Sequence, residues 1–147
     1  MRVVLDTNVY LSLLQDRQEI TKQRDLLARI LPQTWLSSVV LHELLAGARG
    51  DLGRASVRRA MASLERVGRV FAPDPKDWAL AGAVRGKIWE QRRELRTKVL
   101  TNDILIACSS ARIGAFVVTN NRHDFAIVQA HIAFRFGSLA DVASLAR

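Results

Sequence analysis

A chain of 147 residues with 49% hydrophobic composition is long enough to bury one real core and too apolar to stay disordered. Its net charge of +8 suits a polyanionic partner, and its short, charge-interrupted apolar runs exclude a membrane span of roughly 20 residues. A single cysteine, Cys108, excludes an internal disulfide and fits a reducing compartment.

The first residues lack the pattern of a signal peptide and read as a strand, so a cytoplasmic chain is expected. Residues 2–5 are continuous and β-branched, which predicts a short buried strand. A helix is predicted over Asn8–Gln15, and a second over Glu19–Leu31, stopped by Pro32. Trp35–Ser37 predicts a brief strand, and Ser38 a cap for a helix over Val39–Ala48. Arg54–Val67 predicts a basic amphipathic helix with Val57, Met61 and Leu64 on one side. Arg69–Phe71 is a weak strand, Pro73 and Pro75 make a turn, and Lys76–Leu95 is a long helix. Thr101 or Asn102 is expected to cap a helix over Asp103–Arg112. A strand at Ala115–Thr119, a helical turn at His123–Val128, a last strand at Ile132–Phe134 and a helix over Ser138–Leu145 complete the chain. With no repeat or linker in view, residues 1–147 are expected to form a single domain. Its predicted class is α/β: a three-layer sandwich with a mostly parallel, roughly five-stranded sheet flanked by helices.

The positive charge is localised. Arg49–Arg69 and Arg85–Lys98 together hold twelve basic and four acidic residues, which is the whole excess; the remaining ten basic and ten acidic residues cancel. Arg49, Arg54, Arg58, Arg59, Arg92, Arg93 and Arg96 are the candidate phosphate contacts. Solvated helix faces would look the same from charge alone.

Four of the ten acids outside both segments sit beside apolar runs. Asp6 ends the apolar run Val3-Val4-Leu5, and Glu43 borders the apolar stripe of Val39, Val40, Leu44 and Leu45. Asp103 opens an apolar helix, and Asp124 follows Val117-Val118-Thr119-Asn120-Asn121. Asp6, Asp103 and Asp124 each also suit a helix start. In a parallel sheet, however, ligands bind beyond the carboxyl ends of the strands, so acids there can share one pocket. Several carboxylates in one pocket suit a hard cation such as Mg²⁺ or Mn²⁺. Cys108 lies on the face of Ile104, Ala107 and Ala111 and reads as core. His42, His123 and His131 lack zinc spacing, and His42 points about 100° away from Glu43 around a helix.

The order Val3-Val4-Leu5-Asp6-Thr7-Asn8, Ser37-Ser38-Val39-Val40-Leu41-His42-Glu43-Leu44, Thr101-Asn102-Asp103-Ile104 and Val118-Thr119-Asn120-Asn121-Arg122-His123-Asp124-Phe125 resembles the PIN-domain family of metal-dependent ribonucleases, and within it the VapC toxins of toxin–antitoxin pairs. The resemblance implies a PIN-like fold, with Asp6, Glu43 and Asp103 as metal-binding acids and Mg²⁺ or Mn²⁺ as cofactor. Thr7, Asn8 and Thr119 would support them. Some relatives place an acid where Asn121 stands; here the amide leaves Asp124 either a ligand through water or an orienting group. RNA as substrate, a small antitoxin as partner and a homodimer follow from the same resemblance, with no membrane partner. A PIN-type nuclease of RNA processing is the nearest alternative. A receiver-like signalling module fits less well, because strand one ends in a single acid and no lysine follows Lys98.

Overall fold

In the computed structural model, which describes residues 1–15, 17–97 and 100–145, five short strands form one sheet. They are β1 (Arg2–Leu5), β2 (Thr34–Ser37), β3 (Val70–Phe71), β4 (Ala115–Val118) and β5 (Arg135–Gly137). Their order is β3-β2-β1-β4-β5, and every pairing is parallel. A parallel sheet needs crossover connections that cover both its faces. These are supplied by α1 (Thr7–Gln15), α2 (Arg17–Lys22), α3 (Arg24–Ile30), α4 (Ser38–Gly47), α5 (Gly50–Arg66), α6 (Pro75–Gln91), α7 (Thr101–Arg112) and α8 (Arg122–Gln129), and α9 (Leu139–Leu145) follows the last strand.

The period-2 alternation of the strands sorts their side chains into two cores. From β1 and β4, Val3, Leu5, Phe116 and Val118 face Val9 of α1, Leu27 and Ile30 of α3, and Leu139 and Val142 of α9. Val4, Ala115 and Val117 face the other way, toward residues of α4, α6, α7 and α8. Each fully buried Val, Leu or Ile contributes roughly 1.5–3 kcal/mol, so the two central strands anchor both layers. Cys108 is buried in the second core, and burial pushes its thiol up to about 11, which keeps it protonated and inert.

Several boundaries differ from the sequence expectation, and the differences are local. Ser37, not Ser38, caps α4: its Oγ accepts the Val39 N–H at 3.2 Å. The single helix expected over Glu19–Leu31 is broken at Gln23, whose backbone leaves the helical region, and Pro32 sits inside a closing 3₁₀ turn. The long helix ends at Gln91, and Arg93–Thr97 form a 3₁₀ turn; Lys98, the end of the second basic segment, lies outside the described residues. Pro75 begins α6 rather than turning the chain, behind a capping box made by Asp74 and Asp77. The last strand is Arg135–Gly137, not Ile132–Phe134. Residues 130–132 continue the turn after α8, and Phe134 enters the core against Phe125 and Phe136. The alternation of Ile132 and Phe134 therefore reports packing, not sheet pairing. Gly114 turns α7 into β4 with φ +66°, a conformation other residues rarely adopt.

One charged contact ties the layer of α6 and α7 together. Arg112, at the end of α7, donates from Nε to the buried Asp77 carboxylate at 2.8 Å and from its terminal nitrogen to the Ala72 carbonyl at 2.8 Å. Arg112→Ala leaves Asp77 buried with the Asp74 N–H as a remaining donor, at 2.9 Å. Because Arg112 keeps 38% of its side chain in solvent, the expected loss is about 2 kcal/mol, below that of a fully buried pair. Urea unfolding checks this: the midpoint falls with an unchanged m-value. An unchanged midpoint means the pair carries no net stability.

Candidate active site

The parallel sheet brings the ends of β1, β2 and β4 to one edge. Asp6 follows β1 directly and extends its ladder, with its N–H on the Val118 carbonyl at 2.9 Å. Glu43 comes from the second turn of α4, which starts where β2 stops. Thr119 and Asn121 follow β4.

Asp6 is only 4% exposed, and three groups hold its carboxylate. The Thr7 N–H donates to Oδ1 at 2.7 Å, while Asn8 Nδ2 and Thr119 Oγ1 donate to Oδ2 at 2.6 and 2.7 Å. Thr7 also donates its hydroxyl to Glu43 Oε2, so this one residue bridges the two acids. The second Glu43 oxygen accepts Asn102 Nδ2 at 2.8 Å. Around this pair, Asn8 Oδ1 accepts the Asn120 N–H at 3.0 Å, and Thr119 Oγ1 accepts the Asn121 N–H at 2.9 Å. Thr7, Asn8 and Thr119 thus sit as direct hydrogen-bond donors to the acids.

Asn102 corrects the sequence reading. It was expected, with Thr101, to cap α7, but the residue at that cap is Leu100, with no side-chain capping bond. The amide is used on Glu43 instead. The signal was present as an amide beside an acid at a helix start, but its partner lies 59 residues away. Asp103 is the next residue in the first turn of α7 and is half-buried. Asp124 is buried in the first turn of α8, with Oδ2 accepting Asn121 Nδ2 at 2.7 Å. Among the described residues, no three His, Cys, Asp or Glu side chains are gathered as a metal's ligand set. Asp6 and Glu43 are joined through Thr7, which donates to both.

Burial raises the Asp6 pKa above the ordinary carboxylate value of 3.8. Hydrogen bonds from Thr119, Thr7 and Asn8 pull it down, and the negative charge of Glu43 pushes it up again. A metal-free site of this kind stores repulsion that a cation relieves. The donors are hard oxygens, and lone pairs remain: among the described residues Asp6 Oδ1 and each Glu43 oxygen accept one hydrogen bond. Mg²⁺ commonly takes one or two carboxylates and keeps several waters, so the residues fit such an ion.

The candidate arginines come from α5 and from the segment around the end of α6. Arg49 precedes α5, and Arg54, Arg58 and Arg59 lie along it, Arg54 paired with Asp51 at 2.8 Å on the surface. Arg92 follows α6 and lines a cavity of ≈ 240 Å³ with His123 and His131, beside α8. Arg93 is exposed, and Arg96 donates to the Trp89 carbonyl at 3.3 Å.

The PIN domain family model matches residues 3–130. Ribonuclease VapC1 of Haemophilus influenzae strain R2866 is 28% identical over 127 residues, 85% of this chain and 90% of that protein. Among solved structures, DNA-bound VapBC from Salmonella typhimurium superposes with a TM-score of 0.67 at 23% identity, covering 95% of this chain and 98% of that one. VapBC-1 from nontypeable Haemophilus influenzae gives 0.61 at 24% identity, over 95% and 99%. At these identities the structural likenesses speak to the fold.

Glu43→Gln isolates the repulsion. Gln keeps an acceptor for Asn102, and its amide can donate to the Thr7 hydroxyl. A raised folded-state pKa means that Asp6 contributes stability below its ordinary value and loses it as pH rises through the folded value. Removing the Glu43 charge lowers that folded value, so the metal-free variant gains stability at pH 7, by about 2–4 °C in Tm for about 1 kcal/mol. The gain disappears in acid, where the Asp6 carboxyl is protonated. Melting curves in chelator across pH check this; a lower Tm at neutral pH means the lost carboxylate hydrogen bonds outweigh the repulsion.

Proposed function

This chain belongs to the PIN-domain family, and on that premise we propose that it is an endoribonuclease that acts as the toxin of a toxin–antitoxin pair and works with Mg²⁺ or Mn²⁺. The observation that carries the reading is the pairing of buried Asp6 with half-buried Glu43, bridged by Thr7 at the carboxyl edge of the sheet. The VapC ribonuclease and VapBC relatives support the activity and the partner, an antitoxin protein.

Asp6 and Glu43 would hold the ion, with Asp103 in the set and Asp124 orienting through Asn121. Bound there, it would supply an activated water and neutralise charge developing on the phosphate. The chain's own residues do the remainder. Thr119 and Asn8 fix the Asp6 carboxylate, and Thr7 and Asn102 fix that of Glu43, so neither acid must reorganise during reaction. One carboxylate of the set accepts the proton of the attacking water. The arginines of α5 and those following α6 hold flanking phosphates and raise the local concentration of RNA. We further propose that the chain is a single PIN-like domain and forms a homodimer. Among the described residues, no helix is long and apolar enough to cross a membrane.

Purified protein is expected to cut RNA with Mg²⁺ or Mn²⁺, to stop in excess EDTA, and not to be restored by Zn²⁺, since the donor set is all oxygen. Asp6→Asn, Glu43→Gln and Asp103→Asn are each expected to reduce turnover by at least about 100-fold. Normal turnover by all three variants removes this site. In cells, the wild-type gene alone arrests growth and the Asp6→Asn gene does not. A harmless wild-type chain that still cuts RNA in vitro replaces the toxin role with one in RNA processing.

Replacing several of Arg49, Arg54, Arg58 and Arg59, or Arg92, Arg93 and Arg96, by Ala is expected to weaken RNA binding while leaving Mn²⁺ affinity unchanged. Each lost phosphate contact flattens the log–log salt dependence by about 0.7 on single-stranded RNA. Binding isotherms at several salt concentrations check this; unchanged slopes return the arginines to ordinary solvated surface.

A further inference from the structure

Beside the carboxylate pair lies a second cavity, of ≈ 420 Å³, whose lining the reaction described above does not use. Asn102 forms part of its wall, and the same amide donates to Glu43 at 2.8 Å. Whatever occupies the cavity is therefore one side chain from the acids. Its floor is apolar: Val39 is 8% and Leu105 1% exposed, with Pro73 beside them. Its polar and aromatic edge comes from His42 and Trp78, the latter 56% exposed although it carries the largest apolar surface of any side-chain type.

We propose that this cavity is a nucleobase subsite, which takes one unpaired base of the RNA strand next to the scissile phosphate and stacks it on Trp78. The proposal rests on the ribonuclease reading and adds to it the feature of substrate that the site selects. An unpaired base has a flat apolar face and a hydrogen-bonding edge. Sequence-selective RNA proteins take such bases from loops and single strands, stack them on aromatic rings and read their edges. The apolar floor suits the face, and His42 and Asn102 suit the edge. The volume falls within the roughly 300–1,000 Å³ typical of small-molecule sites, enough for a base and its sugar. Paired bases in a helix could not enter, so the subsite favours cutting in loops and single strands. Trp78 is a specificity and positioning residue here, not a catalytic one.

The test compares wild type, Trp78→Ala and Trp78→Phe on one RNA that the wild type cuts, with kcat and KM measured separately. A companion set of the same RNA carries a single abasic residue at each position around the cut. Stacking of one base predicts that Trp78→Ala raises KM about tenfold, with kcat changed by less than about threefold. Trp78→Phe stays within about threefold of wild type. One abasic position penalises the wild type by a similar factor and leaves Trp78→Ala unaffected. Wild-type KM in Trp78→Ala, or an equal abasic penalty in both proteins, overturns the subsite. Loss of antitoxin affinity with unchanged RNA kinetics also overturns it, and assigns the cavity to the protein partner. Should the wild type cut no RNA, the nuclease reading itself falls. Fluorescence then decides the subsite: quenching by single-stranded RNA that is present in wild type and absent in Trp78→Phe supports it, and equal quenching in the two removes it.

Discussion

The bridge that Thr7 makes between Asp6 and Glu43 is the contact on which the site depends. The two carboxylates repel each other, and buried Asp6 also loses hydration. They persist because each is held by donors fixed in the backbone or in packed side chains. Thr7 gives its N–H to one acid and its hydroxyl to the other, so the separation of the two acids is set by a single residue. Thr119 and Asn8 close the Asp6 side, and Asn102 closes the Glu43 side.

That arrangement has a structural cost that the parallel sheet offsets. β1 is central, and its residues Val3, Val4 and Leu5 are fully or almost fully buried on both faces. A strand so firmly placed can carry a strained carboxylate at its end without fraying. The neighbours of β1 end at the same edge, so β2 delivers α4 with Glu43, and β4 delivers Thr119. The Arg112 contact with Asp77 and the Ala72 carbonyl fixes α7 against α6, and α7 carries Asn102 and Asp103 at its other end. Positions distant in sequence thus converge on helices or directly at strand ends, which suits a site that must hold its geometry.

Charge is divided along the same lines. Acids occupy the edge of the sheet, and the excess arginines lie on α5 and in the segment after α6. The cavity lined by His42, Trp78 and Asn102 combines an apolar floor with a polar edge.

The α/β class, the parallel sheet and the position of Asp6 were legible in the sequence, because β-branched runs, helical periodicity and an acid at a strand end are local patterns. The PIN resemblance drew Thr7, Asn8 and Thr119 into the reading as supporting residues, beside Glu43 and Asp103. Boundaries were less legible. Ser37 and Ser38 are equivalent as written, and only the end of β2 decides which one caps α4. Ile132 and Phe134 alternate like a strand, yet the register Phe116 with Arg135 places β5 three residues later. Asn102 looked like a cap, because an amide at a helix start normally serves its own backbone. Its pairing with Glu43, like the joining of His42 and Trp78 in one cavity, depends on α4, α6 and α7 packing side by side. Local chemistry thus named the acids and the elements that carry them. Only tertiary packing decided which donors hold each acid and what borders them, since those partners are separated by tens of residues and meet only when the sheet is covered.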